Sequence, residues 1–287
     1  MQVQQLLKTA AADLAAAGVT ESELEAALLL QGCLDLSRTQ LFLLYDQLVE
    51  PDQQRQFQEF VARRCRREPL QYILGSCEFW SLDFTVSPAV LIPRPETEFL
   101  LEHVLATLAR DPENARHDFL DLCTGSGVIA VVLATEFKEA ALTAADYSPA
   151  ALAVAGINIR RHGLAERINL VCADLLTAFR DGPLFDVIVS NPPYVLAADL
   201  PGLEPEVRDW EPELALSGGQ TGLDVIDRIC RSAVRYLKPG GWLFMEIGAD
   251  IKEPVEAVFS ASGRYEQVQV VRDWSAKPRV LQARFVE

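Results

Sequence analysis

The chain has 287 residues, room for two ordinary domains at ~150 residues each, and its 49% hydrophobic and 23% charged residues suit a folded protein with a sizeable core. A disordered tail, a fibre and a disulfide-stapled miniprotein are thereby excluded. Asp and Glu number 41 against 26 Lys and Arg, a net charge of −15 that opposes wholesale wrapping of a phosphate backbone without excluding a local basic patch.

The six cysteines are scattered with no C-x-x-C pair, and His103, His117 and His162 lie near no thiol cluster in sequence. Metal-ligand spacing is absent, and reduced cytosolic thiols are expected. The N-terminal stretch lacks a basic region ahead of its apolar run, and no uncharged apolar segment reaches the ~18 residues of a membrane span. We therefore expect a cytoplasmic protein with no membrane partner.

In chain order, residues 1–75 read as a helical bundle. Leu6, Leu7, Ala10, Leu14 and Ala17 recur at helical spacing until Gly18. Thr20 is the expected N-cap of the next helix, with Glu23 as capping-box partner and Leu24, Ala27 and Leu28 as its buried face. Pro51 and Asp52 open another helix, with Phe57, Phe60 and Val61 on one side. Residues 76–95 turn aromatic and β-branched (Phe79, Trp80, Leu82, Phe84, Val86, Val90, Ile92), predicting a hairpin linker that Pro93 and Pro95 end. Residues 96–287 then begin with a helix over 96–108 and alternate strands with helices. Strands are predicted at 117–122, 141–146, 168–173, 185–190 and 242–247, and helices at 128–137, 149–162, 223–237 and 251–261. An antiparallel pair at 267–271 and 279–285 closes the domain. Ser148-Pro149 is an N-cap followed by Pro at the first helical position, and the unbroken Val187-Ile188-Val189 run suits a parallel strand covered on both faces. The pattern predicts a doubly wound α/β sheet behind a helical domain.

Asp121-Leu-Cys-Thr-Gly125-Ser-Gly127 lies between a predicted strand and helix. Gly125 and Gly127 allow a sharp turn and close ligand approach, and the helix start offers free N–H groups. With Ala130 the run fits G-x-G-x-x-A, and Asp146 stands near the expected distance for a ribose partner. NAD and S-adenosylmethionine both fit this loop, and the glycines do not decide between them. Asp174, at the end of the next strand, is placed to accept from an adenine amino group, with Leu175 on the ring; a helix-capping Asp beside a core Leu fits the same residues.

Asn191-Pro192-Pro193-Tyr194 follows the 185–190 strand, where open α/β sheets bind ligands. Two prolines stiffen the backbone and remove two donors, leaving carbonyls as acceptors. Asn191 adds an oxygen and Tyr194 an aromatic plate. Convergent acceptors suit a planar group bearing NH₂, whose delocalised lone pair makes it a poor nucleophile. Holding both N–H bonds and aligning the nitrogen with a methyl donor supplies much of the missing reactivity, since orientation alone contributes ~7–11 kcal/mol.

At these residues the chain resembles the HemK/PrmC family, the release factor glutamine N5-methyltransferases. The likeness extends to Pro69–Gly75, Leu91-Ile-Pro-Arg-Pro-Glu-Thr-Glu98, Glu211–Leu216 with Gly218-Gly219, and Glu246-Ile-Gly248. The resemblance implies a Rossmann-like, seven-stranded catalytic domain behind a helical substrate-recognition domain. It also implies S-adenosylmethionine as cofactor, S-adenosylhomocysteine as product, and class 1 peptide chain release factors as substrate, methylated on the Gly-Gly-Gln glutamine. The expected cofactor contacts are Asp121, Cys123, Thr124, Gly125, Ser126, Gly127, Asp146, Asp174, Leu175 and Asn191. Asn191, Pro192, Pro193 and Tyr194 are expected to hold the substrate, with Asn191, Pro192 and Tyr194 catalytic. Cys123 stands where the family more often has glycine.

Three further features carry two readings each. Arg63, Arg64, Arg66 and Arg67 are a solvated helix face or a contact for an acidic release factor or RNA. Thr97 and Glu98 border the cofactor pocket or cap the following helix. Gly218-Gly219-Gln220 copies the substrate motif by chance, its glycines serving a turn, or marks self-methylation. We expect a monomer without bulk nucleic-acid binding. The rival enzymes are an amino-methyltransferase acting on adenine or guanine of nucleic acid, and an NAD dehydrogenase; a nucleoside-sensing module without turnover is the rival of another class.

Overall fold

The computed structural model describes residues 1–109 and 117–286, which fall into two compact units. One comprises Met1–Ser76 together with Glu204–Trp210; the other holds Cys77–Leu203 and Glu211–Glu287.

The first unit contains α1 (Val3–Ala16), α2 (Ser22–Leu34), α3 (Arg38–Leu43), α4 (Pro51–Cys65) and α5 (Leu70–Leu74). Its core joins Leu6, Ala10 and Leu14 of α1 to Phe57 and Val61 of α4, the helical stripes read from sequence. Two expectations fail at α2. Its N-cap is Glu21, not Thr20, and no side chain caps it. Its buried residues are Ala26, Leu29 and Leu30, while Leu24 is exposed. The segment Glu25-Ala-Ala-Leu-Leu-Leu30 is apolar on adjoining faces, so packing rather than periodicity selects which face goes inward. The short α9 (Pro205–Arg208) also belongs to this unit.

Three of the four arginines in the cluster are paired with carboxylates, while Arg66 is exposed. Arg64 is buried between Glu25 and Glu206, Arg67 forks onto Glu206 at 2.7 Å through two nitrogens, and Arg63 pairs with Glu68. Bidentate Arg–carboxylate geometry of this kind fixes a register, here that of the 204–210 segment on α4.

The second unit carries the small hairpin β1 (Ser76–Phe79) and β2 (Leu82–Thr85), whose Phe79 and Phe84 enter the core beneath α6 (Pro95–Leu108). Residues 86–94, predicted to continue the hairpin, are irregular. There follow β3 (Asp118–Leu122), α7 (Val128–Glu136), β4 (Ala141–Asp146), α8 (Pro149–Arg161), β5 (Ile168–Cys172) and β6 (Phe185–Ser190). The chain ends with α10 (Glu213–Leu216), α11 (Asp224–Ala233), β7 (Leu237–Glu246), α12 (Lys252–Ser262), β8 (Tyr265–Arg272) and β9 (Pro278–Phe285). The seven-stranded sheet runs β5-β4-β3-β6-β7-β9-β8, parallel through β7, with β9 antiparallel to both β7 and β8.

Alternation along β6 accounts for the two layers. Val187 and Val189 face the core under α6, α7 and α8, whereas Ile188 joins the core under α11 and α12; all three are fully buried. Ser148 caps α8 by accepting from Ala151 N at 3.2 Å, as predicted. The helix predicted to Leu237 stops at Ala233, because Leu237 pairs with Phe185 and so begins β7. Lys238-Pro-Gly-Gly lies within that strand where its register shifts, so β7 starts before the predicted residue 242.

Candidate active site

Strand order reverses between β3 and β6, the position at which open α/β sheets open a crevice beyond their carboxyl ends. Register sets what meets there. Leu122 pairs with both Ala145 and Ser190, and Ser190 pairs with Met245. The next residues along each strand, Cys123, Asp146, Asn191 and Glu246, therefore emerge side by side. Beyond them lies a cavity of about 440 Å³, within the range of small-molecule sites.

On one side stands the glycine loop. Cys123, Thr124, Gly125 and Ser126 line the cavity. Gly125 has φ +55, and a Cβ there would meet nothing within 4 Å, so its bare Cα leaves open space. Gly127 has φ +84, and a Cβ would stand 3.2 Å from Ala155 Cβ of α8; both its conformation and its neighbour require glycine. Gly127 therefore shapes the loop from behind, and it does not line the cavity. Cys123 adopts φ +64 and Leu175 φ +51, conformations costly for side chains of their size, and both line the cavity. Burial pushes the Cys123 thiol up to about 12, with Asp146 adding to the shift, so the thiol is an inert wall.

Asp146 lines the cavity and accepts from Gly125 N and Ser148 N at 2.8 Å each. Burial raises its pKa against those donated bonds. A carboxylate has about four lone-pair sites, so acceptor capacity remains for two hydroxyls. Asp121 behaves differently. It is fully buried behind the loop, outside the cavity wall, where Oδ2 accepts from Thr124 Oγ1 and from Ala130 N at 3.1 Å. Its Oδ1 has no hydrogen-bond partner, and burial pushes the carboxyl up to about 7. Asp174 and Leu175 line the far end, where Asp174 Oδ2 accepts from Arg228 Nη2 at 2.7 Å.

On the other side Asn191 and Pro193 line the cavity, while Pro192 and Tyr194 sit outside that wall. Asn191 Nδ2 donates to Thr97 Oγ1 at 3.2 Å, and Thr97 Oγ1 donates to Glu246 Oε2 at 2.6 Å. Tyr194 Oη donates to Glu246 Oε1 at 3.1 Å, and burial raises the phenol's pKa. Thr97 lines the cavity and caps nothing; Glu98 instead accepts from Trp80 N at 2.6 Å. Gly218 supports the same turn. Its N–H donates to Val195 O at 2.8 Å, and a Cβ would come within 2.8 Å of Tyr194 Cα. The glycines at 218 and 219 are thus structural, and Gln220 is an exposed residue of that turn.

Sequence reading missed several contributors. Asn158 of α8 is fully buried, donating to Ser126 O and Thr85 O at 2.8 and 3.0 Å and accepting from Thr85 N at 2.7 Å. It ties the loop to β2, although nothing local distinguishes it from other helical residues. Arg94 lines the cavity and donates to the buried Glu211 at 2.6 Å; both lie in family strings, which hinted at importance without a role. Arg228 carried no signal.

The cavity fits a nucleoside carrying an amino-acid arm. Asp146 offers lone pairs for a ribose, the loop between Cys123 and Ser126 leaves room beside Gly125, and Val90, Leu91, Leu175 and Val225 supply apolar wall. Sheet order and crevice fit a nucleoside-dependent α/β enzyme, and the matching family model and relatives make its class that of an S-adenosylmethionine-dependent methyltransferase. Comparison with known proteins narrows it. The PrmC N-terminal domain model matches residues 5–75, and the methyltransferase small domain model matches residues 95–200. A release factor glutamine methyltransferase of Koribacter versatilis is 42% identical over 284 residues, covering 99% of each chain. Among solved structures, a methyltransferase from Pyrococcus furiosus superposes with TM-score 0.55 at 19% identity, covering 78% of this chain and 98% of that one. The Thermus thermophilus 16S rRNA N2 G1207 methyltransferase, in complex with AdoMet and guanosine, gives 0.54 at 22%, covering 73% and 49%; both likenesses concern the fold. The chain belongs to the release factor glutamine methyltransferase family.

Proposed function

We propose that the protein transfers a methyl group from S-adenosylmethionine to the side-chain nitrogen N5 of the glutamine in the Gly-Gly-Gln motif of class 1 peptide chain release factors. One observation carries this reading: Asn191 stands in the cavity wall at the start of the rigid Asn-Pro-Pro-Tyr turn, with Pro192 and Tyr194 of that turn outside the wall. When bound, the cofactor supplies an electrophilic methyl on a positively charged sulfur. Cys123 to Ser126 and Asp146 hold it, with Asp174 and Leu175 at the adenine end and with Gly127 and Asp121 bracing the loop from behind. Asn191 Oδ1 and the Pro192 carbonyl accept the two amide N–H bonds. They fix the nitrogen and offset the positive charge that develops on it, a preorganised electrostatic effect. Tyr194, pinned through its hydroxyl to Glu246, presents its ring beside the amide.

The helical unit holds the release factor. In support, Phe42, Leu43 and Leu48 are exposed apolar residues of that unit, of the kind that mark interaction surfaces. No helix among the described residues is long and apolar enough to cross a membrane. The protein works in the cytoplasm as a monomer, without bulk nucleic-acid binding. The test is incubation with methyl-labelled cofactor, purified release factor, ribosomal RNA and tRNA. Label is expected in the release factor; label in RNA would move the assignment to a nucleobase amino-methyltransferase.

A further inference from the structure

Glu246 is 1% exposed at the end of β7 and takes two hydrogen bonds, one from Tyr194 Oη and one from Thr97 Oγ1. Burial pushes its pKa up, with Glu96 adding to the rise, against the bonds from Thr97 and Tyr194 and the pull of Arg279. Tyr194 Oη and Thr97 Oγ1 each donate to a separate oxygen of Glu246, so the single hydroxyl proton of Thr97 is committed to Glu246. The Thr97 oxygen then shows only lone pairs to Asn191. Asn191 must meet it with its NH₂ group, as the 3.2 Å bond from Nδ2 records. Its carbonyl oxygen is thereby turned away from Thr97. Turning the amide over would set two acceptor oxygens against each other at Thr97, which is buried.

The geometry points to Thr97 and Glu246 as positioning residues that lock the Asn191 amide with Oδ1 toward the acceptor, so that the site takes an amide N–H and rejects a carboxylate. This inference rests on the methyl-transfer reading above and adds a specificity to it: glutamine is accepted and glutamate refused at the same position. A lone asparagine reads both, because its two ends are nearly equal in shape and opposite in hydrogen-bond sense. The relay from a buried anion through one hydroxyl removes that ambiguity. It also explains why Tyr194 and Asn191, three residues apart, share a single anchor.

The experiment measures the binding of release factor carrying Gln or Glu at the methyl-accepting position, to the full chain with S-adenosylhomocysteine bound. Wild type is expected to prefer Gln. Thr97→Val keeps the shape and removes the relay, and should shrink that preference about tenfold or more, since a site built around a hydrogen bond discriminates through the groups left unpaired. Affinity for S-adenosylhomocysteine should fall far less than that preference, and Thr97→Ser should restore the preference. Glu246→Met should reproduce Thr97→Val, because it frees the hydroxyl proton to approach Asn191 Oδ1. Thermal unfolding checks that each variant is folded; if Glu246→Met is not, the two Thr97 variants decide. A folded Thr97→Val that keeps the wild-type preference, or loses S-adenosylhomocysteine affinity in the same proportion, overturns the inference. If wild type binds neither form of release factor, the functional reading fails instead.

Discussion

The two sides of the cavity reach rigidity by opposite means. The loop from Cys123 to Gly127 is shaped by backbone, with positive φ at Cys123, Gly125 and Gly127 and a buried carboxylate, Asp121, fastening it from behind. The turn from Asn191 to Tyr194 has no positive φ; two prolines stiffen it, and side-chain bonds to Thr97 and Glu246 tie it down. On the proposed reading, a nucleoside cofactor needs room and a ribose partner, which the bent loop and Asp146 would supply. A carboxamide needs acceptors pointing one way, which the prolines and a fixed asparagine would supply. The lesson is that each side's strain or stiffness follows the chemistry it faces.

If that contrast is right, mutations on the two sides should separate. Asn191→Ala should lower kcat by about 10²–10³-fold, ~2.7–4 kcal/mol of barrier, by analogy with losing one preorganised polar group. Cofactor affinity, measured by calorimetry, should fall far less than kcat; equal losses would merge the two sides. Gly127→Ala should act oppositely. Forcing a side chain into φ +84 against Ala155 should cost roughly 1–3 kcal/mol of stability. Cofactor affinity should weaken with it, while kcat at saturating cofactor changes little.

Asp121 gives a pH signature confined to the loop side. Its pKa in the folded chain, about 7, lies above its ordinary value of 3.8. The folded state therefore holds the proton more tightly. This group's contribution is fully present below the ordinary value and is lost as pH rises through about 7. Asp121→Asn should remove that loss, flattening denaturant-measured stability between about pH 4 and pH 7 by up to ~1.4 kcal/mol per pH unit relative to wild type. An unchanged pH slope would mean the carboxylate is not the strained group. The smallest effect is expected at Cys123→Gly. Relief of left-handed strain, roughly 1–2 kcal/mol, is offset by ~0.4–1 kcal/mol of added chain entropy, for a net gain of roughly 0–1.6 kcal/mol in thermal unfolding.

The same contrast marks how far the sequence could be read. Signals that are local in the chain were legible: the Val-Ile-Val run of β6, the Ser148 cap, the two glycines of the loop and the Asn-Pro-Pro-Tyr turn. Each depends on residues within a few positions of one another. Contacts that span the chain were not. Thr97 and Glu246 are 149 residues apart, and the Asn158 clamp on Thr85 spans 73. Only tertiary packing brings such pairs together. The inward face of α2 failed for a related reason, because a helix that is apolar over adjoining faces leaves its orientation to its neighbours. The arginine cluster misled because charge density along a helix does not disclose that Glu25 and Glu206 arrive to neutralise it.

The most direct measurement is fragmentation mass spectrometry of the release factor after reaction, locating the added methyl to a single atom. The account predicts one methyl on the side-chain nitrogen of the Gly-Gly-Gln glutamine, formed about 10²–10³-fold more slowly when Asn191 is replaced by Ala. A methyl on any other residue, or modification by the Asn191→Ala variant at the wild-type rate, would contradict it.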